Sequence, residues 1–214
     1  MIPVSPHPPP ANFDTRVTQP GMDFLATTPT PTDKEWKNRA YWTRVLDDLY
    51  QAYGRICAYS CQRIECTTGD RNVEHFKPKK MHPQLAYDWS NYRLVCSRLN
   101  SRKGTKTILD PFTLAAGSFA IRFPSLEVVP GPLCNADATL KTQVDFTCNT
   151  LKLNDETTCI RSRLELIQAY CRCDITFAHL AGENPFLAGE MQRQNLVKLE
   201  VIRRVMSYSP PTPP

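Results

Sequence analysis

The stretch Arg71-Asn72-Val73-Glu74-His75-Phe76-Lys77-Pro78, followed by Trp89-Ser90-Asn91-Tyr92-Arg93-Leu94-Val95-Cys96 and Asn100-Ser101-Arg102-Lys103-Gly104, decides the fold of this chain. Residues 71–76 read as a short strand, which sends the adjacent Glu74 and His75 to opposite sides because successive strand side chains alternate. Residues 77–89, with Pro78 and Pro83, read as a loop. Trp89-Ser90-Asn91 then opens a helix in which Leu94, Val95 and Leu99 make an apolar face, until Gly104 stops it. Asn100 and Lys103 stand three residues apart, hence on one face of that helix. Strand, loop and helix in this order point to an α+β fold, a small core embedded in a mainly helical domain.

Working outward, residues 34–53 carry Trp42, Val45, Leu46, Leu49 and Tyr53 at helical spacing, with Gly54 where a terminating glycine belongs. Residues 1–33 are rich in proline, Pro8 to Pro10 among them, and read as an arm that is extended or mobile and makes no core of its own. Residues 34–130 form the central unit with its preceding helix, including β-leaning residues over 119–129 expected to give one or two strands. Residues 131–208 read as a helical region: Asn154 caps a long helix striped by Ile160, Leu164, Ile167 and Cys171, and residues 190–207 form another with Met191, Leu199, Ile202 and Met206. The proline-rich residues 209–214 read as a disordered tail.

A chain of 214 residues with 41% hydrophobic content can bury one full core without disulfides. Its nine cysteines show no repeated pairing frame, and no signal sequence or run of about 20 apolar residues is evident, so reduced thiols in a cytoplasmic protein without a membrane span are expected. The net charge of +5 is unevenly placed. Residues 71–106 hold nine Lys and Arg against Glu74 and Asp88, leaving the remainder with seventeen bases against nineteen acids. A local positive patch in an otherwise slightly acidic chain is what a polyanion site requires.

Within that patch the residue types suit phosphodiester hydrolysis, which needs an activated water, a metal against the phosphate and stabilisation of the leaving oxygen. With Glu74 and His75 on opposite sides of a strand, one can ligate metal while the other faces water. Asn100 can complete the metal's shell with its amide oxygen, and Lys103, on the same helical face, can meet phosphate.

Together with Cys57-Ala-Tyr-Ser-Cys61, Tyr87-Asp88 and the later Asp110-Pro111-Phe112 and Leu151-Lys152-Leu153-Asn154, these segments resemble the HNH endonucleases, whose core is the ββα-metal fold. The resemblance is strongest to the bacterial subgroup found beside ATPases in retron and Septu-type phage-defence systems, and it spans about two thirds of the chain. It implies that His75 is the general base, that Glu74 and Asn100 hold Mg²⁺ or Mn²⁺, and that Asn91 fixes the loop orienting His75. Lys103, Lys77 and Lys79 would contact phosphates, with Lys80, Arg93, Arg102 and Lys106 extending the DNA-binding surface. One alternative is a module of the same shape that binds nucleic acid without cutting it. A second, compatible with the nuclease reading, is an effector inert alone whose proline arm and last helix dock onto a companion ATPase.

Two positions depart from the family's pattern. Many relatives hold a structural zinc on two Cys-x-x-Cys pairs, but Cys57 and Cys61 are separated by three residues and Leu99 stands where Cys96 needs a partner. No structural zinc is therefore expected, and Cys57, Cys61 and Cys96 read as small buried hydrophobes. Glu74 stands where Asp is usual, which bears on metal preference.

Overall fold

The computed structural model describes residues 1–208; the tail read over 209–214 lies outside the described residues. The first ten residues run extended but lie against the body of the protein, with Met1 buried and the Val4 N–H donated to the Pro111 carbonyl at 2.8 Å. A π-helical turn (Asp14–Thr18) then leads into α1 (Gln19–Thr27), and Phe13, Val17 and Leu25 join the core. The extended arm expected over 1–33 is thus corrected for this part. Pro20 lies inside this continuous helical run, just after the π-helical turn.

The single helix expected over 34–53 is in fact α2 (Asp33–Asn38), a 3₁₀ turn (Tyr41–Val45) and α3 (Leu46–Ala52). Trp36 and Trp42 explain the break. Six residues apart on one straight helix, they would point about 120° apart. Interrupting the helix brings their ring centroids to 6.1 Å, with Tyr87 6.2 Å from the first and 5.8 Å from the second.

Strand β1 (Arg71–His75) pairs antiparallel with β2 (Tyr92–Cys96), Glu74 opposite Arg93 and His75 opposite Tyr92. Helix α4 (Ser97–Lys103) follows directly and ends at Gly104, whose φ of +54° favours glycine. The helix expected from Trp89 to Gly104 is therefore three elements: a 3₁₀ turn (Trp89–Asn91), β2 and α4. Tyr92, Arg93, Leu94 and Val95 are all buried, because β2 is covered on both faces. Such a strand loses its period-two alternation, and a short apolar run then mimics a helical stripe.

A second antiparallel pair, β3 (Phe119–Arg122) and β4 (Glu127–Pro130), occupies the segment expected to hold one or two strands. Beyond it come α5 (Ala138–Leu151), α6 (Arg161–Arg172), α7 (Phe177–Glu183), α8 (Pro185–Arg193) and α9 (Leu199–Val205). Asn154 is not a cap. Its side chain brackets Val128 of β4, accepting from the N–H at 2.7 Å and donating to the carbonyl at 2.8 Å, while Asp155 caps the π-helical turn (Glu156–Ile160) that enters α6. The helix expected over 190–207 is divided between α8 and α9, with Asn195 at a φ of +57° in the gap. The described residues are α+β, mostly helical with two small antiparallel sheets. No described helix is long and apolar enough to cross a membrane.

Candidate active site

At the end of β1, Glu74, His75 and Asn100 border one cleft of about 310 Å³, together with Lys79, Lys80 and Ser101. Although Glu74 and His75 leave the strand on alternate sides, the cleft reaches both. A larger cleft of about 670 Å³ lies elsewhere, walled by Glu127, Glu156 and Glu165, but Glu127 and Glu165 pair with Arg122 and Arg161. Volume alone does not pick out the chemistry.

His75 is 7% exposed, its ring held edge-on by Trp42 at 4.7 Å and Tyr92 at 5.3 Å. Its Nε2 lies 2.9 Å from the Ala86 carbonyl, which also accepts from the Tyr92 hydroxyl at 2.9 Å. A carbonyl only accepts, so Nε2 carries the proton and Nδ1 carries the lone pair. Nδ1 is bonded to no described residue, nor is it among the atoms sealed from solvent without a partner. Burial first, then the nearby Lys79, push the imidazole's pKa down to about 3. The ring is therefore neutral near pH 7, in one fixed tautomer.

Asn91 holds the intervening loop at both ends. Its Oδ1 accepts from the Lys77 N–H at 2.8 Å, and its Nδ2 donates to the carbonyls of Lys77 and Leu85 at 3.0 and 3.1 Å. Its own carbonyl accepts from Phe76, the residue after His75, at 2.9 Å. The loop that carries Ala86 to the imidazole is thus tied to the start of β2.

Lys103, expected to meet phosphate from the Asn100 face of its helix, is fully buried. Its Nζ lies 2.5 Å from Glu74 Oε1 and 3.4 Å from the His75 carbonyl. α4 packs against β1 and α5, so the Lys103 face of the helix points inward rather than to solvent. Glu74 is itself buried, and burial raises its pKa while the Lys103 ammonium opposes that rise.

Two further expected DNA contacts are corrected. The Arg93 guanidinium is buried in a two-point pair with Asp110, at 2.8 and 2.6 Å, and lies over the rings of Phe112 and Phe76 at 3.4 and 5.1 Å. Arg102 donates to the Leu151 and Lys152 carbonyls at the end of α5 and pairs with Asp155 at 2.8 Å. Both guanidiniums are spent on the fold. Lys77 and Lys106 are exposed, Lys80 is exposed and paired with Asp33 at 2.7 Å, and Lys79 lies over Trp42 at 5.1 Å with its pKa lowered mainly by burial.

Among the described residues, no group of three or more His, Cys, Asp or Glu side chains is gathered as a metal site. Cys57 and Cys61 are buried, Cys96 is half-buried and Cys66 is exposed. Trp42, Ala86, Tyr92 and Asp110 shape the site without having been singled out as site residues. Of these only Asp110 had a signal, since a charged Arg93 amid Tyr-Leu-Val demands a buried partner.

No family model matches the chain. Over 57 residues it is 35% identical to the Septu protein PtuB of Bacillus thuringiensis, a stretch covering 27% of this chain and 22% of that protein. The chain thus has a Septu-like relation confined to a segment.

Proposed function

We propose that this chain is a metal-dependent endonuclease of the HNH, ββα-metal type, hydrolysing DNA phosphodiester bonds as the effector of a bacterial phage-defence system. The observation that carries the reading is His75: a neutral imidazole with its proton fixed on Nε2, its Nδ1 unpaired, beside a carboxylate and an amide on one cleft. β1, β2 and α4 supply the strand–strand–helix order that the ββα-metal type requires. The Septu-like segment supports the defence role, and the companion ATPase rests on the family resemblance alone.

In this reading His75 Nδ1 accepts the proton of the attacking water, while Ala86 holds Nε2–H and keeps the ring from turning. Asn91 acts as a positioning residue through the loop. Glu74 and Asn100 would hold Mg²⁺ or Mn²⁺. Their donors fit a hard divalent ion, one carboxylate and one amide oxygen bordering the same cleft, with the other positions left to water and phosphate. The metal would neutralise charge on the phosphate and the leaving oxygen. Lys79 and Lys80 border the approach, with Lys77 and Lys106 outside it.

The experiment is plasmid cleavage by the purified protein with Mg²⁺, Mn²⁺ or EDTA, beside His75→Ala. Cleavage that needs metal and falls about 10²- to 10⁴-fold in the variant is the expected result. Undiminished cutting by His75→Ala removes the assignment of the base. Salt-sensitive DNA binding without products under any metal condition replaces the nuclease with a binding module.

A further inference from the structure

A lysine withdrawn from water is retained only where a partner compensates its charge. For Lys103 that partner is Glu74, the same carboxylate assigned above to a divalent ion. The ammonium is 2.5 Å from Oε1, accepts no competition from solvent, and is steadied by the His75 carbonyl at 3.4 Å and the Phe76 ring at 5.6 Å. Asn100 stands on the same short helix, so the pair also ties α4 to β1 and holds Asn100 on the cleft that Glu74 borders. Lys79 and Lys80 border the same cleft, and its one carboxylate is already neutralised from within.

Resting on the nuclease reading, we propose that Lys103 is a resident cation and positioning residue, which neutralises Glu74 in the free protein so that a divalent ion is taken up only together with a phosphodiester. Lys103 has no solvent-facing position to retreat to, so its charge stays beside the cleft when the ion enters. Two cations a few ångströms apart repel strongly in a partly buried setting. A phosphate oxygen supplies both a ligand and the negative charge that offsets this repulsion. The consequence is regulatory: metal loading and nucleic-acid binding become one event, and the free protein does not carry an armed site.

The test is Mn²⁺ binding, followed by the electron paramagnetic resonance signal of free Mn²⁺, on a His75→Ala background that leaves DNA uncut. A short DNA duplex should tighten Mn²⁺ binding by about tenfold or more, and Lys103→Met should tighten binding without DNA by about as much. Lys103→Arg keeps the charge and should keep the dependence on DNA. Equal Mn²⁺ affinity with and without DNA overturns the inference while leaving the nuclease reading in place. No Mn²⁺ binding in a protein that does bind DNA removes the metal site and both readings with it. Circular dichroism reports whether Lys103→Met is folded; if it is not, Lys103→Gln, which removes the charge but keeps a hydrogen-bond donor for Glu74, takes its place, and unchanged Mn²⁺ affinity without DNA in the folded variant overturns the inference.

Discussion

The positive segment over residues 71–106 contains two populations of cation that look alike in sequence. Lys77 and Lys106 are exposed, as is Lys80 although it pairs with Asp33 on the surface, whereas Arg93, Arg102 and Lys103 are turned inward onto Asp110, Asp155 and Glu74. The first population can act on a ligand, and the second acts on the fold. A local charge count therefore overstates a polyanion site: Arg93 and Arg102 are matched by acids outside the segment, and Lys103, though offset in the count by Glu74, is buried away from any ligand.

The comparison breaks most readily at Arg93. Arg93→Ala leaves the half-buried Asp110 without its two-point partner and strips the buried cation from Phe112, so a loss of about 3 kcal/mol in denaturant unfolding is expected. Lys106→Ala in the same assay should change stability by less than about 0.5 kcal/mol. If the two variants melt alike, the division into folding and ligand-facing cations fails.

The next effect is a pH dependence. The pKa of His75 is pushed from the ordinary 6.5 to about 3, so on acidification the unfolded chain takes a proton that the folded protein refuses. This contribution is complete above pH 6.5 and is lost as pH falls toward 3. Glu74 runs the other way. Its pKa is raised above the ordinary 4.5, so the folded protein gains stability as that group takes up its proton. Between about pH 8 and pH 5, where His75 acts first, it should account for about 2 kcal/mol of lost stability. His75→Gln should flatten the profile by that amount, and an unchanged slope would mean the imidazole is not neutral in the folded protein.

Much of the unit's layout was legible because it is local in sequence: the strand with Glu74 and His75, the loop with two prolines, the Gly104 stop. What was not legible depends on pairing across the chain. β2 was misread because a strand buried on both faces carries no alternation, and Leu94, Val95 and Leu99 fit a helical stripe by coincidence of spacing. Lys103 was misplaced because the side of α4 facing β1 follows from where β2 ends. The break between α2 and α3 follows from an aromatic cluster completed by Tyr87, far along the chain. Asn154 looks like a helix cap by residue type, and only the presence of β4 alongside it redirects both its amide groups to Val128.

The smallest effect sharpens the comparison from the ligand's side. If Lys77 and Lys106 face DNA, each phosphate contact releases a condensed counterion, and the logarithm of affinity falls with the logarithm of salt by about 0.9 per contact. Lys77→Ala and Lys106→Ala should then each reduce that slope by about one while leaving unfolding unaltered. Arg102→Ala should do the reverse. Its guanidinium closes the end of α5 and pairs with Asp155, so stability should fall while the salt slope, measured where the variant is folded, stays at the parent's value. A slope that drops in Arg102→Ala and holds in Lys106→Ala would place the nucleic-acid surface on the opposite population from the one the exposed side chains indicate.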